Sequence, residues 1–172
     1  PSGDEIDRTY DIVAMFWLPE AGLARKAERD RADYMRWVEA GYLKFTPGKV
    51  IDKRAVVAYI RELGETYNVQ EVDIDQYRAV DVNTPLIEEG FTVIQFGQGF
   101  LPMSAPIAEL KRAILSGQFR HGGNPVLRMC FGNAVVIKDG HDNEKLTKAK
   151  STGRIDGATA SANAIGRIIA SE

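Results

Sequence analysis

One stretch decides how this sequence folds: Val69-Gln70-Glu71-Val72-Asp73-Ile74-Asp75-Gln76-Tyr77-Arg78. Val72 and Ile74 alternate with acids, which is the pattern of a half-buried strand. Asp75 comes last, and the carboxyl end of a strand in an open α/β sheet faces the crevice where such folds hold their chemistry. On spacing alone, a cap of the following turn is the more ordinary role for Asp75. Asp75 is therefore a candidate that needs support from the rest of the chain.

The composition is that of an ordinary globular chain. Of its 172 residues, 44% are hydrophobic and 27% are charged. A net charge of −2 and a pI near 5.8 give no general attraction to nucleic acid, so any DNA contact must come from local basic patches. The single Cys130 excludes a disulfide framework or a cysteine-rich zinc site, and its apolar neighbours indicate a buried, inert thiol. No membrane span or signal peptide is recognisable, which predicts a cytosolic protein.

Strand and helix patterns alternate along the whole chain and predict a single α/β layered domain over residues 1–172. Asp52 and Asn124 are predicted helix N-caps, the second followed by Pro125 at the first helical position. Other predicted elements are a strand over 10–18, a helix over 22–41, a strand over 91–96, a helix from Ser104 or Pro106 to Gly117, and a polar loop over 138–154.

A second notable acid is Asp156, at the start of the last predicted helix. It follows the polar loop that carries Lys148, Lys150 and Arg154. The ordinary role is a first-turn acid favoured by the helix dipole. The sequence therefore offers two acids, Asp75 and Asp156, each with an ordinary structural explanation.

Groups of residues spread over nearly the whole chain add a further signal. They are Phe16-Trp17-Leu18-Pro19-Glu20, Arg29-Asp30-Arg31-Ala32-Asp33-Tyr34 with Trp37, Thr46-Pro47-Gly48 with Ile51-Asp52, Glu89-Gly90-Phe91, Gln98-Gly99-Phe100, His121-Gly122-Gly123-Asn124-Pro125-Val126-Leu127-Arg128, Asn133, and Lys150-Ser151-Thr152-Gly153-Arg154-Ile155-Asp156-Gly157. Each group is weak by itself, but their order and separations are specific. In them the chain resembles the nuclease domain at the carboxyl end of the large terminase subunit of tailed bacteriophages and prophages.

This resemblance implies a ribonuclease H-like fold, with a central mixed sheet flanked by helices, in which carboxylates hold two divalent metal ions. Mg²⁺ or Mn²⁺ ions held roughly 4 Å apart by shared carboxylates can activate a water and stabilise the leaving oxygen of a phosphodiester. The family's acid after the central strand falls on Asp75, and its acid at the start of the last helix falls on Asp156. Both are expected to be catalytic metal ligands. Asp73 is a second-rank ligand, with an outer or structural role as the other interpretation.

The resemblance also implies a function. An endonuclease of this kind cuts concatemeric double-stranded viral DNA during genome packaging, in the cytoplasm of a bacterial host. Its expected partners are the DNA, the terminase ATPase domain, the small terminase subunit and the portal protein. The basic residues expected to contact DNA phosphates are Lys148, Lys150, Arg154, Arg120, His121 and Arg128. For His121, ordering of its glycine-rich loop is favoured over metal ligation.

The chain departs from the family pattern at its start. The family's first metal-binding acid lies on an opening strand that, with the strand after it, precedes residue 1, and neither Asp4, Asp7 nor Asp11 replaces it. We therefore expect an amino-terminally truncated domain that lacks the ATPase domain. One hypothesis is a homo-oligomer in which a second copy lends a strand. The alternative function is a non-catalytic prophage remnant or docking module that keeps the fold but lacks the first acid.

Overall fold

The computed structural model describes residues 8–75, 80–149 and 153–171, which form an α/β structure, as predicted. The strands are β1 (Tyr10–Asp11), β2 (Phe16–Pro19), β3 (Leu43–Thr46), β4 (Val72–Asp75), β5 (Val93–Phe96), β6 (Phe119–Arg120), β7 (Val136–Lys138) and β8 (Glu144–Leu146). The helices are α1 (Leu23–Asp30), α2 (Tyr34–Glu39), α3 (Lys53–Thr66), α4 (Val80–Glu88), α5 (Phe100–Leu115), α6 (Pro125–Asn133) and α7 (Asp156–Ala170). None of the helices in the described ranges has the length and apolar character needed to cross a membrane.

The strands pair two by two. β1 with β6, β2 with β3, and β4 with β5 are parallel pairs, and β7 with β8 is an antiparallel hairpin. Over the described residues, the predicted central mixed sheet is therefore not one continuous ladder, because each short strand hydrogen-bonds to a single neighbour. The prediction that two family strands precede residue 1 stays a prediction.

The contacts within the chain divide it into two compact units. We call Met15–Gln98 the β4 unit, and Pro1–Ala14 together with Gly99–Glu172 the α7 unit. The first is continuous in sequence, whereas the second joins the start of the chain to its last segment. The prediction of one domain over residues 1–172 stays a prediction.

The β4 unit is built on its two parallel strand pairs. In β2 and β3, Phe16 lies opposite Leu43, and in β4 and β5, Val72 lies opposite Val93. Leu43, Tyr34 and Leu86 are almost completely buried, so apolar side chains from β3, α2 and α4 form the core. Burial of such side chains is the main favourable contribution to folding.

One predicted helix is interrupted. The sequence predicts one helix over 22–41, but the structure has two helices there, α1 and α2, so that prediction is wrong. Arg31 takes the left-handed conformation with φ 49°, which ends α1. Asp33 then caps α2, because its carboxylate accepts a hydrogen bond from the backbone N–H of Arg36 at 3.2 Å. The N-cap predicted at Asp52 is confirmed, with the N–H of Arg54 donating to it at 3.0 Å.

The α7 unit is built on three helices. α7 packs against both α5 and α6, and its buried face is made largely of small residues, which allow close approach of the neighbouring helices. The buried apolar residues of this unit are Tyr10, Met103, Ile107, Leu110, Ala113, Val126, Leu127, Cys130, Ile155, Ala158, Ala162 and Ile165. α5 begins at Phe100, earlier than predicted, because Pro102 lies in its first turn, where no backbone N–H is needed, and Pro106 is accepted inside it.

The predicted strand over 10–18 is also divided in two. β1 pairs with β6, Tyr10 lying opposite Phe119, whereas β2 pairs with β3. The residues between them leave the ladder, and the carbonyl of Ala14 accepts a hydrogen bond from Nδ2 of Asn124 at 3.0 Å instead. The prediction fails because these two halves of one apolar run have different, distant partners.

The polar segment over 138–154 contains more structure than predicted. It begins with the hairpin of β7 and β8, in which Lys138 lies opposite Glu144. The hairpin turn is held by Asp139, whose carboxylate accepts hydrogen bonds from the N–H groups of His141 and Asn143 at 2.8 and 3.0 Å. The side chain of Asn143 donates to the same carboxylate at 3.0 Å, and these bonds hold the pKa of Asp139 below its usual value. The description of this whole segment as a loop is therefore wrong.

A carboxylate in the α7 unit makes its stability sensitive to acid. Glu109 accepts hydrogen bonds from Arg112, which chiefly lowers its pKa, and from the hydroxyl of Tyr10 at 2.8 Å. A lowered pKa stabilises the fold above the ordinary carboxyl value of about 4.3, and this contribution is lost as pH falls through the lowered value. We expect Glu109→Gln to cost about 1 kcal/mol at pH 7 and to flatten the loss of stability between pH 5 and 3.

Urea unfolding at several pH values would measure this effect. The matched control is Asp142→Asn, whose carboxylate is 86% exposed and should leave the pH dependence unchanged. If Glu109→Gln lost stability between pH 5 and 3 as the wild type does, Glu109 would not be the source of the acid sensitivity.

Candidate functional site

The first candidate acid, Asp75, is the last residue of β4. It lies opposite Phe96 at the end of the parallel β5, so the carboxyl ends of both strands share one edge. Asp73 is two residues earlier and therefore on the same face of the strand. Both acids are half-buried, and Oδ1 of Asp73 is shielded from solvent. The predicted position of Asp75 at the carboxyl end of a strand is confirmed.

The second candidate acid, Asp156, is the first residue of α7, as predicted. It is the acid of the first helical turn, and residue 155 before it provides no side-chain cap. The carboxylate therefore lies near the positive end of the helix dipole. Its Oδ1 accepts a hydrogen bond from Nζ of Lys148 at 2.7 Å, and both side chains are more than half exposed.

The start of α7 is fixed from two sides. Nδ2 of Asn133 donates to the carbonyl of Arg154 at 3.2 Å, and a Cβ added to Gly153 would lie only 2.7 Å from that nitrogen. The backbone N–H groups at 157 and 158 also hydrogen-bond to the buried sulfur of Cys130. Burial raises the pKa of the Cys130 thiol, so it stays protonated at neutral pH, as its predicted inert state requires.

The predicted DNA-contacting residues that the structure describes belong to the α7 unit. Lys148 contacts Asp156, and Arg154 lies two residues before the start of α7. Arg120 forms an exposed ion pair with Asp11 at 3.0 Å, and Arg128 is exposed on α6. Lys150 lies outside the described residues.

The glycine-rich loop before α6 has a defined conformation. Gly122 and Gly123 both have positive φ, 60° and 74°, which glycine adopts without strain. Asn124 then caps α6 by accepting a hydrogen bond from the N–H of Leu127 at 3.0 Å, which confirms the predicted cap. The carbonyl of His121 accepts from the N–H of Asn124, and its Nδ1 is buried without a partner among the described residues. The ordering role of the His121 side chain stays a prediction.

Charge is distributed unevenly between the two units. The described part of the α7 unit carries ten Lys and Arg residues against six Asp and Glu, whereas that of the β4 unit carries ten against fourteen. Phosphate groups are attracted to an excess of positive charge. The α7 unit is thus the better match for a nucleic-acid backbone.

The candidate acids are divided between the units. Asp73 and Asp75 belong to the β4 unit and Asp156 to the α7 unit. Within the described ranges, no group of three or more His, Cys, Asp or Glu residues lies close enough together to hold a metal ion. The chemistry of the donors, carboxylate oxygens only, fits a hard cation such as Mg²⁺ or Mn²⁺. The ammonium of Lys148 on Asp156 shows that this carboxylate accepts a cationic partner.

A comparison with protein families decides the assignment. The model described as "Terminase large subunit, endonuclease domain" matches residues 5–172. The chain belongs to this family. The resemblance found in the sequence is therefore confirmed.

Two curated relatives extend this finding. The "Terminase, large subunit" of Enterobacteria phage HK97 is 38% identical over 174 residues, which cover 96% of this chain and 33% of the relative. "Protein YmfN" of Escherichia coli strain K12 is 32% identical over 164 residues, which cover 92% of this chain and 36% of the relative. This terminase nuclease-family chain thus spans about a third of the length of these two relatives.

Solved structures show the same similarity in three dimensions. The crystal structure of the HK97 bacteriophage large terminase matches with a TM-score of 0.86 and 38% identity, over 96% of this chain and 35% of that one. The large terminase nuclease from the thermophilic phage G20c matches with a TM-score of 0.54 and 16% identity, over 68% of this chain and 63% of that one. The second match supports the fold alone.

Proposed function

We propose that this terminase nuclease-family chain is a metal-dependent endonuclease with a ribonuclease H-like fold, which cuts concatemeric double-stranded DNA during viral genome packaging. Family membership supports the proposal. The observation that carries it is the carboxylate of Asp156, fixed at the start of α7 and bound to a cationic group at 2.7 Å. A rigid element is where a catalytic carboxylate is best positioned.

Asp75 and Asp156 would hold the divalent ions, Mg²⁺ or Mn²⁺, with Asp73 as a second-rank ligand or an outer acid. When bound, such ions supply Lewis acidity and a water of lowered pKa for phosphodiester hydrolysis. The carboxylates contribute negative charge on fixed backbone: Asp75 at the end of β4 and Asp156 at the first turn of α7.

The basic residues would hold the DNA backbone. Lys148 and Arg154 both precede the start of α7 in sequence, while Arg120, His121 and Arg128 lie on β6, the following loop and α6. Contacts of this kind position the duplex without reading its sequence. Packaging in the cytoplasm of a bacterial host, together with a terminase ATPase domain, a small subunit and a portal protein, is part of the same proposal.

A second candidate function is a docking module that has kept the fold without cutting DNA. The observation in its favour is that the described residues do not bring three metal-binding side chains together. The two functions differ in one measurable property, which is hydrolysis of DNA.

Nicking of supercoiled plasmid measures this property directly. We expect the chain to produce nicked and linear DNA in Mn²⁺ or Mg²⁺, and no cutting in EDTA or in Ca²⁺ alone. Electrophoretic mobility in Ca²⁺ would report DNA binding separately. Binding without cutting in any metal supports the docking module, and cutting that persists in EDTA contradicts the metal-dependent mechanism.

A further inference from the structure

The ion pair between Lys148 and Asp156 joins two groups assigned above to different tasks. Lys148 is a proposed phosphate contact and Asp156 a proposed metal ligand, yet Nζ of the lysine lies 2.7 Å from Oδ1 of the acid. We propose that Lys148 is an exchangeable counter-cation: it holds Asp156 until a divalent ion binds there, and is then released to a DNA phosphate. This inference rests on the proposed function.

The β7–β8 hairpin positions Lys148 next to Asp156. The ladder continues past β8, because the N–H of Thr147 donates to the carbonyl of Val135 at 3.0 Å. The hydroxyl of Thr147 in turn accepts from the N–H of Ala149 at 3.3 Å. The backbone on both sides of Lys148 is thus hydrogen-bonded, and only its flexible side chain needs to move when its partner changes.

Asp156 is fixed more firmly than Lys148. Its backbone belongs to α7, and the turn before it is held by the bond from Asn133 to the carbonyl of Arg154. A lysine side chain, by contrast, has four rotatable bonds and ends in a compact point charge. An exchange at this pair therefore moves the ammonium and leaves the carboxylate in place.

The exposure of the pair makes exchange feasible. The side chains of Lys148 and Asp156 are 59% and 54% exposed, so water solvates both partners and replaces the contact at little cost. A buried pair would instead resist separation strongly. The ammonium of Lys148 repels a divalent ion that approaches Asp156, and it also competes with the ion for the carboxylate. Both effects lower the affinity for metal until the lysine side chain moves away.

The consequence is a coupling between two binding events. Metal at Asp156 frees the ammonium of Lys148 for a phosphate, and a phosphate that takes Lys148 frees Asp156 for metal. By linkage, each ligand must raise the affinity of the other by the same factor. The pair thus favours metal binding when DNA is present.

Electron paramagnetic resonance measures Mn²⁺ binding to the whole chain without DNA. It tests whether Lys148 competes with metal for Asp156. We expect Lys148→Met to bind Mn²⁺ about two- to fivefold more tightly than the wild type, because an exposed ion pair is worth a factor of this size. The difference should shrink in 0.5 M salt, where exposed charges are screened. The control is Lys145→Met, since Nζ of Lys145 lies 4.4 Å from the centroid of the Phe100 ring rather than on Asp156.

DNA affinity measured in Ca²⁺ and in EDTA tests whether metal binding releases Lys148 to a DNA phosphate. The wild type and Lys145→Met should bind DNA more tightly in Ca²⁺, and Lys148→Met should lose most of this gain. Equal or weaker Mn²⁺ binding by Lys148→Met overturns the exchange, as does an undiminished gain of DNA affinity in that variant. Thermal unfolding confirms that the variants are folded.

One further variant separates this inference from the function on which it rests. If Asp156→Asn binds Mn²⁺ as the wild type does, Asp156 is not a ligand and the proposed site fails. If Asp156→Asn loses Mn²⁺ while Lys148→Met binds like the wild type, the site stands and only the exchange is overturned.

Discussion

Asp156→Asn and Asp75→Asn are each expected to reduce metal-dependent DNA cutting by at least about a hundredfold, because loss of a direct ligand exceeds the 10- to 100-fold typical of outer partners. The amide keeps the shape of the side chain but removes the negative charge that a hard cation requires. Asp156 is more than half exposed, so its substitution should cost stability only through the helix dipole and the exposed ion pair with Lys148, by about 1 kcal/mol or less. Loss of cutting without loss of fold is therefore the expected signature.

Plasmid nicking in Mn²⁺, with circular dichroism of the same samples, checks this prediction. Asp142→Asn is the matched control, because it makes the same chemical change in the exposed turn of the β7–β8 hairpin. Cutting within tenfold of the wild type in either active-site variant would remove that residue from the catalytic assignment.

Asn124→Ala is expected to lower the free energy of unfolding by about 2–3 kcal/mol. The buried side chain of Asn124 makes two bonds: Oδ1 accepts from the N–H of Leu127, and Nδ2 donates to the carbonyl of Ala14. Loss of an N-cap costs about 1 kcal/mol, and a partly buried carbonyl left without its donor costs about 1–2 kcal/mol more. The substitution therefore weakens both α6 and its connection to the start of the chain.

Asn124→Ser divides this effect between the two bonds. A serine hydroxyl can still cap α6 but is too short to serve Ala14 as well, so we expect roughly half of the loss. Urea unfolding of the wild type and both variants gives the comparison. A loss below about 1 kcal/mol in Asn124→Ala would mean that water replaces both bonds.

Local signals were sufficient for the ends of several elements. The alternation before Asp75 and the apolar face after Asp156 place both acids where the structure has them, and Asp52 and Asn124 were recognisable as caps. Each of these features depends on neighbours within a few residues. Their assignment to metal binding came from the resemblance, and the family comparison confirms the family rather than the role of either residue.

Features that depend on distant partners were not predictable. The run over 10–18 gives no sign that its halves pair with β6 and β3, more than a hundred and about 27 residues away. β8 is short and two of its three residues are charged, so its sequence resembles a loop until β7 lies beside it. The contact between Lys148 and Asp156 depends on that hairpin, and Asn133 reaches Arg154 only because α6 ends near α7. From their charge and polarity alone, these residues would be predicted to be solvated and to make no such contacts.

The discontinuous α7 unit has a consequence for synthesis on the ribosome. β1 is synthesised before β6, so Tyr10 must wait for its partner Phe119. The β4 unit, Met15–Gln98, is contiguous and is complete before β6 has been translated. At 5–20 residues per second, this interval leaves β1 without its β6 partner for several seconds. Its closure also spans a long loop, whose entropic cost rises only slowly with length. We therefore expect chains that end shortly before residue 119, once released from the ribosome, to contain a protease-resistant β4 unit and a protease-sensitive β1.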